Sequence, residues 1–239
     1  MTTNSSHSIN RTIAKIETPL QMFWADFCAN RIALIALSLV VVLALIAVFS
    51  PWIAPQNPYD LTQISIFDNM LKPYQRSLDG KLFILGSDEQ GRDMLSAMMY
   101  GLKMSLFVAV TATSAALAVG VSLGIIAAYF GGRVDAVLMR IVDLQLSFPA
   151  IFIALILLAV LGKGVDKVIF ALMLVQWAYY ARTVRGNAMV ERRREYIEAA
   201  QCLALPRHRI IFRHLLPNCL GPLIVVATVQ VAHAISLEA

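Results

Sequence analysis

The side chains of this chain that could do chemistry are charged, and they cluster. Residues 191–218 read ERRREYIEAAQCLALPRHRIIFRHLLPN, a dense run flanked on both sides by apolar stretches long enough to cross a bilayer. Nothing around it has the make-up of a catalytic centre. The sequence shows no Ser/His/Asp arrangement, no pair of carboxylates within the apolar stretches and no phosphate-cradling G-x-x-x-x-G-K-[ST]. Cys28, Cys202 and Cys219 lack metal-ligand spacing. The chemistry left to the run is docking. Its first half is expected to form a helix over residues 194–203, with Ile197, Ala200 and Ala204 at helical spacing. A second helix should open at Pro206, which suits a first helical position, and close at Pro217. Within it Ile211 and Leu215, and Phe212 and Leu216, repeat four apart, while Arg209 and Arg213 share another stripe. On charge alone, the segment is an arginine-rich cytoplasmic loop that sets orientation.

The order of residues says more. Glu198-Ala199-Ala200, three spacers, the small residue Ala204, then Ile210 and Leu216-Pro217 resemble the EAA loop of permease subunits of binding-protein-dependent ABC importers. That family usually has glycine where this chain has Ala204. The resemblance implies a coupling helix that docks on a separate ATPase. Carried over residue by residue, its candidate contacts are Glu198, Ala199, Ala200, Ala204, Ile210, Leu216 and Pro217, with Arg194 beside Glu198 one turn earlier. Residues 85–106, LGSDEQGRDMLSAMMYGLKMSL, also resemble a stretch of the oligopeptide, dipeptide and nickel branch, with Ala97 and Lys103 where that branch often has arginine. YARTVRGNAM is similar to the family's lead-in to the loop.

Composition fits a membrane protein: 59% of residues are hydrophobic and 15% charged. The fold class expected is all-α and polytopic, with about five transmembrane helices, an N-terminal interfacial helix and cytoplasmic coupling helices. Residues 1–31 form a cytoplasmic segment in which Thr18, Pro19 and Gln21 are placed to start an interfacial helix with Leu20, Phe23, Trp24 and Phe27 on one face. Residues 32–239 form the transmembrane domain. Its spans are expected over 32–49, 104–130, a third that Met139–Pro149 leads into and that ends near Leu161 with a kink at Pro149, 168–181, and from after Asn218 to about 237. Residues 51–100 carry six acids against Lys72, Arg76, Lys81 and Arg92, and belong outside. Residues 185–217 form the cytoplasmic coupling loop, and arginines at eight positions from 182 to 213 hold that side inside.

Several side chains carry local expectations. Ser87 and Gln90 make a capping box that should open a helix. Asp88, Glu89 and Asp93 lack the alternating spacing of a calcium loop and read as structural. Asp143 should pair with Arg140 or cap a helix, and Glu198 can pair with Arg194. Ala112, Ala116, Gly120, Gly124 and Ala128 form a small-residue stripe for close packing within the subunit. His233 is the imidazole at membrane depth, read as a helix-packing group.

By resemblance, then, the chain is a permease subunit of an ATP-driven importer in the bacterial cytoplasmic (inner) membrane, moving short peptides or a related small solute. It is no enzyme and needs no cofactor of its own, since ATP belongs to a partner. The partners implied are a second permease subunit, ATP-binding subunits, an extracytoplasmic substrate-binding protein and lipid. The net charge of +5 is accounted for by topology without nucleic acid. ISLEA at the end would in that family be followed by a further loop and span, so a chain short of its last span is expected. The alternatives are an ion-coupled secondary transporter, for which His233 is the one ionisable group between span ends, or a truncated, non-transporting remnant.

Overall fold

The computed structural model describes residues 27–77 and 80–238. The expected interfacial helix from Thr18 lies almost wholly outside them. The chain divides between Ile46 and Ala47 into two compact units. Helix α1 (Arg31–Ile53) is capped by Asn30, whose side-chain oxygen accepts from the N–H groups of Ile32 and Ala33 at 3.0 and 3.3 Å. It passes through Pro51 and ends at Ile53, four residues beyond the expected end. The hydroxyl of Ser50 donates to the carbonyl of Ala47 at 2.9 Å, the acceptor that a proline at 51 leaves unpaired.

The second unit holds α2 (Met94–Phe130), α3 (Gly132–Leu146), α4 (Ala150–Leu161), α5 (Val165–Glu191), α6 (Glu195–Cys202) and α7 (Arg207–Glu238). Of the described helices, α1, α2 and α7 are long and apolar enough to cross a membrane. The pair α3–α4, bent by 89° around Pro149, adds a fourth if it forms one broken span. The helix that holds the expected fourth span, α5, is long enough at 27 residues, about 40 Å. It fails on apolarity because Asp166 and Lys167 lie at one end and Arg182, Arg185 and Glu191 at the other. Its middle does not need a lipid-compatible surface all round. Ala178, Ala181 and Val184 are wholly buried, packed in one core with residues of α2 and α7.

The small-residue stripe makes that burial possible. Ala112, Ala116, Gly120, Gly124 and Ala128 are all buried along α2. A Cβ on Gly120 would stand 2.5 Å from both the Trp177 carbonyl oxygen and Tyr180 Cβ of α5, and one on Gly124 2.6 Å from the Ala181 oxygen. Apolar side chains gain little from leaving lipid for protein, so close backbone packing is the available source of helix–helix attraction.

The long connection before α2 is tied by polar groups. Short 3₁₀ turns at Leu61–Gln63 and Ile66–Asp68 precede a two-stranded antiparallel hairpin, β1 (Gln75–Arg76) and β2 (Leu82–Phe83). The side-chain oxygen of buried Gln56 accepts from the Asp93 N–H at 2.7 Å, and the Gln56 backbone N–H donates to Ser96 Oγ at 3.1 Å. The expected helix at Ser87 does not form there. Ser87 Oγ is spent on the Asp68 carbonyl and the Leu71 N–H, and the helix starts instead at Met94 with Asp93 as its cap. Asp88 is partly desolvated, which raises its pKa. Bonds from the N–H groups of Gln90 and Arg92 and from the Arg92 guanidinium outweigh this and hold the carboxyl below its usual range.

The close approach generates a paired expectation. Gly120→Ala should lower the unfolding temperature of the detergent-purified protein through overpacking worth about 1–3 kcal/mol. Gly101 has no atom within 4 Å of its would-be Cβ, so Gly101→Ala should be neutral or stabilising by up to about 1 kcal/mol. Equal melting shifts for the two would show that the stripe is not in tight contact.

Candidate functional site

The charged run folds as a short helix, a tight turn and the start of a long helix. Glu195–Cys202 forms α6 with Arg194 at its N-cap, within a residue of expectation. Ile197 and Ala200 are buried against Ile210, with Tyr129 and Leu205 packed beside them. The turn is a Schellman closure: the Leu205 N–H reaches the Ala200 carbonyl at 3.2 Å, and the Ala204 N–H reaches that of Gln201 at 2.9 Å. Ala204 occupies the left-handed position of that motif, φ 51°, where glycine is the usual residue.

The second helix departs from expectation twice. It opens at Arg207, with Pro206 as the cap residue, and its first turns widen into a π-helical segment, Ile210–Leu215. The widening places Ile210 and Leu215, five apart, on the buried side. Pro217 does not end the helix. The Leu216 N–H bonds five residues back to Ile211, and α7 runs on to Glu238. A wide turn just before Pro217 relieves the clash that a proline ring makes with the carbonyl four residues earlier.

Of the residues expected to act together, Ala200 and Ile210 meet in the buried seam. Leu216 and Pro217 lie within α7 beyond the π segment. Glu198 and Ala199 are exposed. Glu198 does not pair with Arg194, whose guanidinium lies 3.8 Å from Glu191 instead. It lines a cleft of about 440 Å³ with Asp135, Arg192, Arg193 and Gln201. Asp143 pairs with Arg182 of α5 rather than with Arg140. Beside it, Arg185 forms a two-pronged bond to Asp135, both contacts 2.6 Å. These pairs join α3 to α5 across 39 and 50 residues of sequence, beyond the reach of local spacing rules.

Sequence reasoning missed three contributors. Tyr196 donates to Glu191 Oε1 at 2.5 Å and accepts from Asn218 Nδ2 at 2.8 Å, so one phenol joins α5, α6 and α7. Burial, aided by the Glu191 carboxylate, pushes its pKa up to about 12. Arg192 donates to the Ala128 carbonyl near the end of α2 at 3.0 Å and lies over the Tyr129 ring. Leu203, at the turn, is 75% exposed, an apolar tip among charges.

A family described as the binding-protein-dependent transport system inner membrane component matches residues 120–239. The N-terminal TM domain of oligopeptide transport permease C matches residues 18–74. The chain belongs to the binding-protein-dependent transport permease family. The chain is 40% identical to the dipeptide transport system permease protein DppC of Escherichia coli strain K12 over 219 residues, covering 91% of this chain and 72% of the relative. It is 33% identical to the DppC of Haemophilus influenzae, covering 92% and 73%. The oligopeptide transport system permease protein OppC of Bacillus subtilis is 32% identical, covering 94% and 72%. This permease is therefore an ABC-type membrane component of the C kind, a multi-pass protein of the inner membrane and not an enzyme.

Ala204 gives this permease a measurable signature. A non-glycine residue in the left-handed region costs about 1–2 kcal/mol, and glycine returns about 0.4–1 kcal/mol of that through the unfolded chain. Ala204→Gly should therefore raise the unfolding temperature, by up to about 1.5 kcal/mol of added stability. A fall would mean that the turn is not left-handed at this position.

Proposed function

We propose that this permease carries short peptides across the inner membrane and takes its drive from a separate ATPase through α6 and the start of α7. The observation that carries this is the continuity of α7. Arg207–Glu238 is one helix of 32 residues, about 48 Å long, running from the docking turn to the far end of the bundle. A push on α6 reaches it through the Ile197–Ala200–Ile210 seam and the Tyr196–Asn218 bond. The exposed face of α6, with Glu198 and Ala199 beside the Leu203 tip, is the surface left for a cytoplasmic partner.

In this reading, residues 185–217 face the cytoplasm and 51–100 the outside, the latter toward a substrate-binding protein. A second permease subunit completes the route, and ATP stays on the ATPase. The dipeptide and oligopeptide systems named for the relatives support short peptides as the solute.

Glu198→Lys tests the docking role. Glu198 makes no side-chain ion pair among the described residues, so membrane insertion and expression should be unchanged. Reversing a charge at a protein interface can cost several kcal/mol, so recovery of the ATPase subunit in pull-downs at matched permease levels should drop more than tenfold, and peptide uptake should fall with it. Equal recovery and equal uptake would reduce the loop to a topology signal.

A further inference from the structure

A cavity of about 330 Å³ opens between α5 and α7, with Ala150 at the start of α4 on its wall. Its lining includes Gln176, Tyr179 and Thr183 from α5 and Gln230 and His233 from α7, and no Asp, Glu, Lys or Arg. Position along the helices runs it from mid-membrane toward the cytoplasmic face. Gln176 is about 17 Å and Thr183, beside Arg182, about 27 Å from the Val165 end of α5, against a hydrocarbon core about 30 Å thick. Gln176 is itself buried. Its side-chain oxygen accepts from Thr113 at 3.1 Å and its amide lies 3.4 Å from the Gln230 carbonyl, fixing one wall through three helices. Tyr179 is exposed, and neither its hydroxyl nor the His233 imidazole bonds to a described residue.

A second feature of the backbone converges on the same place. The bend between α3 and α4 leaves Ser147, Phe148 and Pro149 outside helix, and the next residue lines the cavity. The level of the bend is set by Gln145, whose side-chain amide bonds the Leu174 carbonyl and, at 3.2 Å, that of Val175 on α5, one residue from Gln176. Irregular backbone and unpaired polar side chains at this depth are tolerated where they are buried in protein or line water, not where they meet lipid.

We propose that this cavity is part of the solute's route, a hydrated passage that offers hydrogen-bonding groups, Tyr179, Thr183 and His233 above all, to the backbone amides of a short peptide. Without fixed charge on its walls, it discriminates little between peptide side chains and holds none of them tightly, as a passage must. This rests on the permease reading above, and the labelling experiment separates the two.

In a Cys28→Ser, Cys202→Ser background, which leaves the buried Cys219, single cysteines replace Thr183, His233 and two exposed apolar residues outside the cavity lining, Ile156 and Ile224. The assembled transporter in membrane vesicles is treated with a small charged methanethiosulfonate. Cysteines at 183 and 233 should react on the order of tenfold faster than those at 156 and 224, since a charged reagent enters water and not hydrocarbon. Once modified, they should block uptake of dialanine, and the other two should not. Equal slow reaction at all four, or fast reaction at 183 and 233 with uptake intact, would overturn the proposal. If the background variant takes up no dialanine at all, the short-peptide reading fails, and the relative rates alone decide whether the cavity is hydrated.

Discussion

Everything in the second unit depends on how closely α2 and α5 approach. Two glycines and the alanines around them let the α5 backbone lie against α2, with no room for a Cβ at positions 120 and 124. Because lipid supplies no hydrophobic drive between helices, this contact is the means by which a helix too polar to stand alone in a membrane can occupy its centre. With α5 held there, the rest follows by attachment. Arg182 and Arg185 anchor α3 through Asp143 and Asp135, Gln145 fixes the bend at Pro149, and Gln176 reaches both Thr113 and the α7 backbone.

The segment from α6 to the start of α7 is built on the same economy. Three apolar side chains, Ile197, Ala200 and Ile210, form a seam between α6 and α7, and a single phenol, Tyr196, adds bonds to both neighbouring helices. The π-helical turn then carries the chain into α7 without a hinge. A helix seated this way can pass a displacement to the cavity-lining helix without relying on a flexible connection.

What the sequence made legible was local or periodic. The stripe from Ala112 to Ala128, the α6 limits and the break at Pro149 follow from spacing and from residues with fixed backbone preferences. The family was visible through the residue order of 198–217. What stayed hidden depends on contacts distant in sequence. Asp143 finds Arg182 because α3 lies along α5, and Ser87 is diverted from helix capping by Asp68 and Leu71. Pro217 fails to end α7 because a π turn precedes it, which no single-residue preference announces. Glu198 turns from Arg194 toward the cleft because Glu191 is the arginine's nearer acid.

If α7 carries the drive, α6 and α7 move as one body when an ATPase acts. Spin labels at Gln201 on α6 and Ile224 on α7 test it by pulsed electron resonance in the full transporter, nucleotide-free and with ATP bound. The distance between them should stay the same in both states. A Gln201–Ile224 distance that shifts with ATP, while Ile224 keeps its distance from a label at Val119 on α2, would contradict the account by placing the flexing in the joint itself.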